Sequence, residues 1–249
     1  MRLANKLIEI HGTGTHNKGA ELMAMAIADH YRNSGLPIGL AVPRRDWARV
    51  DRDRYGFLLS SDFGIRGRGV RSLVGVVRHA FDRKVKDSKV SAVLDGSGFA
   101  FSDQWGAGRA DYLSSKMSKQ SRAHQALVLM PQALGPFVES KVRNAFLRLA
   151  DRAALIFPRD RQSEDFVREL VPAEKIYRCP DFTIGVEGLN DDLPHLGDDV
   201  VAYVPNVHMM RKNNDPGGVG YLRSVELVHN ELKKRFPRSV VVLHDAGTD

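Results

Sequence analysis

Several polar residues that could carry out chemistry stand just after short apolar segments of the sequence. An amide, a guanidinium, a carboxylate and an imidazole occupy these positions, as Gln132, Arg159, Asp181 and His244. Imidazole exchanges protons near neutral pH, and guanidinium groups bind carboxylates and phosphates. In open α/β sheets, ligands bind beyond the carboxyl ends of the strands. The spacing therefore predicts a site assembled from loops that follow buried strands.

The first such loop, Gly12 to Gly19, lies between a predicted strand and a helix with apolar residues at helical spacing. A helix N-terminus with free N–H groups favours anions, so this loop, with Asn17, Gly19 and Glu21 at its end, is a candidate substrate-binding segment. The alternative is a tight turn in which Glu21 only stabilises the start of the helix through its interaction with the helix dipole. The glycine spacing does not match the dinucleotide fingerprint, which argues against an NAD site.

The second loop is Asp95-Gly96-Ser97-Gly98, and the third is Pro131 to Pro136. Glycine lets a ligand approach the backbone closely, so Gly96 of the second loop is a candidate binding residue. Gln132 of the third loop is another. The order around Ser97 is not that of a hydrolase nucleophile elbow.

In the fourth loop, Arg159 and Ser163 could together hold a phosphate or carboxylate. The alternative is a surface ion pair of Arg159 with Asp160, with Ser163 as the N-cap of a helix from Glu164 to Leu170. Asp181 could likewise be only a turn former.

Strand and helix patterns alternate along the chain, which predicts an α/β fold with mostly parallel sheets. We expect a Rossmann-like domain over 1–184, a linker over 185–199 and a second Rossmann-like domain beginning at 200–249. One βαβ unit cannot cover both faces of its sheet, so we expect this second domain to be incomplete and the chain to be a fragment.

The net charge of +7 lies in one segment, since Arg44 to Lys89 holds 13 lysines and arginines against 6 aspartates and glutamates. Such a segment suits an anionic partner, including a membrane surface, or is simply a solvated face. The lone Cys179 and the lack of a signal peptide favour the cytoplasm. The histidine spacing predicts no metal site, and the basic residues do not interleave with aromatics as in nucleic-acid binders.

The loops together resemble those of the polysaccharide pyruvyltransferase family, in order and in position after strands. The matching segments are 17–21, 94–98, Pro131-Gln132-x-x-Gly135-Pro136, Arg159-Asp160-x-x-Ser163, Pro180-Asp181, Pro205-Asn206 and Leu243-His244 with Asp249. Asp95-Gly96-Ser97-Gly98 departs from the family pattern, where an unbroken glycine run is usual.

The resemblance implies a GT-B-like pair of domains and a transferase of polysaccharide biosynthesis that needs no cofactor. The donor would be phosphoenolpyruvate, and the acceptor a sugar of an exopolysaccharide or its lipid-linked precursor. The basic segment Arg44 to Lys89, rather than the resemblance, would place the protein at the inner face of the membrane. His244 would be the acid or base, and Asp181 would orient or deprotonate the acceptor. Substrate-binding residues would include Arg159 and Arg211 for the donor's anionic groups, with Asn17, Gln132 and Asn206 as polar partners.

Two other functions remain open from the sequence. A GT-B glycosyltransferase that uses a nucleotide sugar would share the fold. A non-catalytic module that binds anions or glycans would share the loops without the reaction.

Overall fold

The computed structural model describes residues 6–60, 85–186, 200–205, 219–236, 238 and 240–241. Within them lies a parallel sheet of six strands in the order β3-β2-β1-β4-β5-β6. The strands are β1 (Lys6–His11), β2 (Ile38–Val42), β3 (Leu58–Leu59), β4 (Val90–Asp95), β5 (Ala126–Gln132) and β6 (Ala153–Pro158). The predicted α/β class with a mostly parallel sheet is confirmed.

In the described part of the chain, helices connect β1 to β2, β2 to β3, β4 to β5 and β5 to β6, since parallel strands need a crossover connection, usually a helix. They are α1 (Lys18–Asn33), α2 (Arg49–Tyr55), α3 (Gly108–Met117), α4 (Ser140–Arg152) and α5 (Arg161–Arg168). Single 3₁₀ turns stand at Asp87–Lys89, Gln120–Arg122, Ala173–Lys175 and Phe182–Gly185. No helix among the described residues is long and apolar enough to cross a membrane.

Apolar residues of the strands and helices form two buried clusters. The larger cluster includes Leu127 and Leu129 of β5 and Phe146 and Leu149 of α4, all of them fully buried. The smaller one joins Ile10 of β1 to Ile27 and neighbours on α1. Burying a side chain of this size contributes about 1.5–3 kcal/mol, so these faces fix the helices against the strands.

The order of the strands reverses between β1 and β4. The chain runs from β1 outward through β2 to β3, and then returns to pair β4 with the other side of β1. In folds of this kind, ligands bind at the carboxyl ends of the strands on either side of such a reversal, so the crevice between β1 and β4 is the expected place for a site.

The chain divides into two compact units, of residues 1–15 with 19–186 and of residues 16–18 with 187–249. The described part of the second unit contains the parallel strands β7 (Ala202–Tyr203) and β8 (Val240–Val241) and helix α6 (Val219–Arg235). The domain bounds 1–184, 185–199 and 200–249 stay predictions, because most of the linker lies outside the described residues. The helical spacing of Val70, Leu73, Val74, Val77 and Phe81 predicts a helix over 70–81, which also lies outside the described residues.

Candidate functional site

The glycine loops after β1 and β4 meet at the crevice between these strands. A methyl group added at Gly12, whose φ is +76°, would lie 2.0 Å from Ser97 Oγ. The Gly96 N–H donates to the His11 carbonyl at 2.8 Å. At Gly98, with φ of +71°, a methyl group would lie 2.6 Å from Met23 Cε on α1. Glycine is therefore required here both for its backbone conformation and for the close packing of the two loops.

The carboxylate of Asp95 ties the second loop to the first turn of α3. It is fully buried and accepts hydrogen bonds from Ser97 Oγ at 2.6 Å and from Arg109 Nη2 at 2.7 Å. Burial alone would raise the pKa of Asp95, but the Arg109 guanidinium and the Ser97 hydroxyl hold it below its usual value. Asp95 is therefore ionised, and the Ser97 hydroxyl donates its hydrogen bond to this carboxylate.

Gln132, at the end of β5, is fully buried with an unpaired side-chain amide. Neither Oε1 nor Nε2 has a hydrogen-bond partner among the described residues. Its carbonyl accepts from the Arg159 N–H at 3.0 Å, and the following Ala133 N–H donates to the Gly98 carbonyl at 2.9 Å. Gln132 thus sits between the second and fourth loops, in a backbone framework that fixes its position.

Two other buried hydroxyls near these loops lack partners in the described part of the chain. They are Thr13 Oγ1, after β1, and Ser102 Oγ, after β4. Buried polar groups in folded proteins are nearly always paired, and an unpaired one costs about 1–3 kcal/mol. Together with Gln132 they mark the carboxyl edge of β1, β4 and β5 as a place where a ligand or ordered water supplies the missing hydrogen bonds.

The structure brings Arg159 and Asp181 together beside β6. Arg159 Nη1 donates to Asp181 Oδ2 at 3.2 Å, and both side chains are partly exposed. The other oxygen of Asp181 accepts from Thr183 N at 3.0 Å and Thr183 Oγ1 at 2.8 Å. Asp181 therefore does form a turn, as one sequence alternative held, and it also orients the guanidinium that could bind an anion.

The prediction that Ser163 caps a helix was wrong. The N-cap of α5 is Asp160, whose Oδ1 accepts from the Ser163 N–H at 2.8 Å. Ser163 Oγ instead accepts from the Leu134 N–H at 3.0 Å and is buried. Asp160 prevails because a carboxylate three residues before an N–H makes the stronger cap. Ser163 thereby joins the third loop to α5, and a role in substrate binding stays a prediction.

In the first turn of α1, directly after the first loop, Glu21 is buried and accepts a hydrogen bond from the Tyr55 hydroxyl of α2 at 2.6 Å. Burial and this carboxylate raise the pKa of Tyr55 to about 12. Asn17 directly precedes α1, which begins at Lys18, and Gly19 is the second residue of that helix. Binding of substrate by these three residues stays a prediction.

Sequence reasoning missed a buried charged cluster under the crevice, formed by Glu9, His11, Lys116 and Arg122. Lys116 Nζ lies 2.7 Å from both Glu9 Oε1 and His11 Nε2, and Arg122 Nη1 donates to Glu9 Oε2 at 2.7 Å. Burial alone would raise the pKa of Glu9, but His11 and the two cations hold it far below its usual value. The alternation of Glu9 and His11 in an apolar strand was the available signal.

His244, Asn206 and Arg211 lie outside the described residues. Their proposed roles as acid or base and as substrate-binding groups therefore stay predictions.

Comparison with known proteins identifies a family for the chain. A family model described as polysaccharide pyruvyl transferase matches residues 17–247. No curated protein sequence gave a significant match.

Among solved structures, one protein from Listeria monocytogenes, named as a UDP-N-acetylglucosamine 2-epimerase, is 12% identical with a TM-score of 0.50. A second UDP-N-acetylglucosamine 2-epimerase is 16% identical with a TM-score of 0.46. The alignments cover 96% and 95% of this chain, and the chain spans 62% of the length of each of those structures. The predicted GT-B-like fold class is confirmed by the first of these similarities.

Proposed function

The chain belongs to the polysaccharide pyruvyl transferase family, and we propose that it transfers a pyruvyl group from phosphoenolpyruvate to a sugar, as a ketal. The family match over residues 17–247 is the observation that carries this proposal. The acceptor would be part of a cell-surface polysaccharide or its lipid-linked precursor. The unpaired buried amide of Gln132 beside Arg159 supports a polar, anion-binding site in the first unit.

The reaction sets the requirements for the site. Protonation of the donor's methylene carbon leaves a cationic carbon, which a sugar hydroxyl attacks. Phosphate then leaves with its bridging oxygen, and a second hydroxyl of the sugar closes the ketal. Of the two hydroxyl protons, one balances the proton added to the methylene carbon and the other leaves with phosphate. An acid, a base and cations for the donor's carboxylate and phosphate are therefore needed.

In the first unit, Arg159 supplies a cation for the donor. Its guanidinium is oriented by Asp181 at 3.2 Å and remains partly exposed, so it retains donors for a carboxylate or phosphate oxygen. The Gln132 amide supplies both a donor and an acceptor. Binding of substrate at Gly96 stays a prediction, since a methyl group there would lie 3.2 Å from Thr13 Cγ2. Asp181, if it also faces the acceptor, orients a hydroxyl.

The remaining roles rest on sequence resemblance. His244 would transfer the proton, Arg211 would neutralise the second anionic group of the donor, and Asn206 would position substrate. Asn17, Gly19, Glu21 and Ser163 would complete the binding residues. No metal or organic cofactor enters this scheme.

Arg159 provides the test of the donor site. In the full-length protein, Arg159→Ala should raise the KM for phosphoenolpyruvate at least about tenfold, equivalent to about 1.4 kcal/mol. Arg159→Lys should recover only part of the loss, because an ammonium cannot bind in a bidentate manner. Phosphate release at varied donor concentration measures both effects.

Arg168→Ala is the matched control, since Arg168 is an exposed arginine of α5 that pairs with Glu164. An unchanged donor KM in Arg159→Ala would remove Arg159 from the donor site. Thermal stabilisation by UDP but not by phosphoenolpyruvate would instead favour an enzyme that uses a nucleotide sugar.

We also propose that the protein acts at the cytoplasmic face of a membrane when its acceptor is lipid-linked. The support is the basic segment Arg44 to Lys89, much of which lies outside the described residues. Binding to vesicles of phosphatidylglycerol, lost at high salt and absent with phosphatidylcholine, is the expected result. Equal binding to both vesicles, or to neither, would contradict it.

A further inference from the structure

An exposed tryptophan follows the second loop at the carboxyl edge of the sheet. The chain has two tryptophans, of which Trp47 is 1% exposed and Trp105 is 50% exposed. Trp105 lies between Gly98 and the first residue of α3, in a segment whose Phe101 pairs with Leu134 beyond the ends of β4 and β5. It therefore belongs to the part of the first unit that carries the candidate site.

The segment that holds Trp105 is anchored by hydrogen bonds. The N–H groups of Trp105 and Gly106 both donate to the Ser102 carbonyl at 3.1 Å, and Asp103 N–H donates to the Pro136 carbonyl at 3.0 Å. The Asp103 carboxylate accepts from the Val138 N–H at 2.8 Å and the Glu139 N–H at 3.1 Å. A segment whose backbone is held in this way loses little conformational entropy when its side chains bind a ligand.

Trp105 also packs against a second aromatic ring, in the loop that leads back to the site. Its ring meets that of Phe99 in an edge-to-face arrangement, with centroids 6.2 Å apart and planes at 79°. Phe99 follows Gly98, whose carbonyl accepts from the Ala133 N–H next to Gln132. The contact with Phe99 and the hydrogen bond between Gly98 and Ala133 thus place Trp105 on the loop that adjoins the backbone next to Gln132.

The chemistry of an indole face selects its ligand. The face of the ring carries partial negative charge and repels anions, but it attracts polarised C–H bonds and cations. A pyranose ring presents such C–H bonds on its apolar face, together with hydroxyls at its rim. The donor is an anion and is served by guanidinium groups, so the neutral sugar is the substrate that an indole suits.

We propose that Trp105 is a stacking platform for a sugar ring of the acceptor. The inference rests on the proposed function for the identity of the acceptor as a sugar. The loop anchored at Ser102 and Pro136 presents the indole, and the ring selects sugars with an unbroken apolar face.

Fluorescence provides a direct test, because Trp47 is buried and Trp105 is the exposed emitter. The probes are methyl glycosides and disaccharides of glucose, galactose and mannose, titrated into the full-length protein. At least one should give a saturable change in emission that is absent in Trp105→Phe, whose remaining emission comes from Trp47. No saturable change with any probe would overturn the inference.

Kinetics separates this inference from the proposed reaction. With an acceptor that is turned over, Trp105→Ala should raise the acceptor KM about tenfold, or about 1.4 kcal/mol, and leave the phosphoenolpyruvate KM unchanged. Trp105→Phe should lie between it and the wild type. Leu36→Ala is the control, since Leu36 is 56% exposed in the turn between α1 and β2, at the opposite edge of the sheet.

The possible outcomes of these experiments reject different parts of the account. An acceptor KM that is unchanged in Trp105→Ala would overturn the inference and leave pyruvyl transfer intact. Saturable sugar binding at Trp105 without phosphate release would retain the platform and remove the reaction. A change in emission with phosphatidylglycerol vesicles, but not with sugars, would assign Trp105 to membrane contact and overturn the inference.

Discussion

Among single residues, Gln132 connects stability to function most directly. A buried amide without partners in the described chain opposes folding, and proteins retain such groups where a ligand or water completes their hydrogen bonds. Gln125 offers the contrast. It is also buried, but its Nε2 donates to the Asp87 carbonyl at 2.7 Å and its Oε1 accepts from Arg122 at 3.0 Å.

Gln132→Leu should therefore lower activity while leaving the free energy of unfolding unchanged or raising it by about 1 kcal/mol. Gln125→Leu should lower the free energy of unfolding by about 1–3 kcal/mol, because it removes two made hydrogen bonds. Urea unfolding and phosphate release measure the two effects. If Gln132→Leu destabilises the protein as much as Gln125→Leu does, the amide is paired in the folded protein and the site loses its main support.

Several residues of the candidate site could be predicted from the sequence, because a residue that directly follows a parallel strand lies at the carboxyl edge of the sheet. Gln132 and Arg159 were predicted on that basis, and the structure places them next to each other through a backbone hydrogen bond. Arg109 was missed because its partner Asp95 is 14 residues away and no local spacing joins an arginine on a helix to a strand end. Such pairs arise from tertiary packing.

At the scale of elements, the contact between the first two loops fixes the crevice between β1 and β4. Gly12 and Gly35 both have positive φ, of +76° and +67°. They differ in the room for a side chain. A methyl group at Gly12 would lie 2.7 Å from the Ser97 backbone, whereas no atom of the described residues lies within 4 Å of a methyl group at Gly35.

Gly12→Ala should consequently cost more than Gly35→Ala. The control carries only the cost of positive φ, about 1 kcal/mol, whereas Gly12→Ala must also displace the second loop. We expect a loss of activity and a further drop in the free energy of unfolding for Gly12→Ala, measured by urea unfolding and turnover. Equal effects of the two substitutions would show that the loops do not pack as described.

The connection of β1 to α3 through His11 and Lys116 makes stability depend on pH. Burial and the Lys116 ammonium lower the pKa of His11, despite the contact with Glu9. The folded protein therefore keeps His11 neutral, while the unfolded chain takes up a proton below pH about 6.5. Since the unfolded state then binds more protons, stability falls as the pH falls.

We expect the free energy of unfolding to decrease between pH 7 and pH 5 with a contribution from His11 of at most about 1.4 kcal/mol per pH unit. His11→Gln should reduce this slope, whatever its effect on stability at pH 7. His30→Gln, which changes an exposed histidine of α1, is the control and should keep the slope. A slope that is unchanged in His11→Gln would contradict a neutral buried imidazole.

The elements themselves were largely predictable, since apolar runs and helical spacing mark β1, β4, β5, β6, α1 and α4. Two were not: α2 (Arg49–Tyr55) is short and mostly charged, and β3 has two residues. Neither is long enough to show a period. The apolar pair Ile176-Tyr177 predicts a short strand, whereas the structure has a single bridge from Ile176 to Ile156, with the Tyr177 and Cys179 N–H groups donating to the Ile156 and Pro158 carbonyls at 3.1 Å.

For the whole molecule, the sheet topology indicates the carboxyl edge of the first unit as the place of a site. The described first unit supplies a crevice at the reversal of strand order, with Gln132, Arg159 and Trp105 on loops around its carboxyl edge. The predicted proton-transfer residue, His244, lies elsewhere in the sequence. The proposed reaction therefore requires the full-length protein, and its products are the decisive evidence.

The most direct test incubates the full-length protein with phosphoenolpyruvate and a panel of glycan acceptors, and measures inorganic phosphate together with the mass of the acceptor. The account predicts that one phosphate is released for each acceptor that gains a pyruvate less one water, and that both signals fall together in Arg159→Ala. Phosphate release without a modified acceptor, or transfer from a nucleotide sugar in its place, would contradict it.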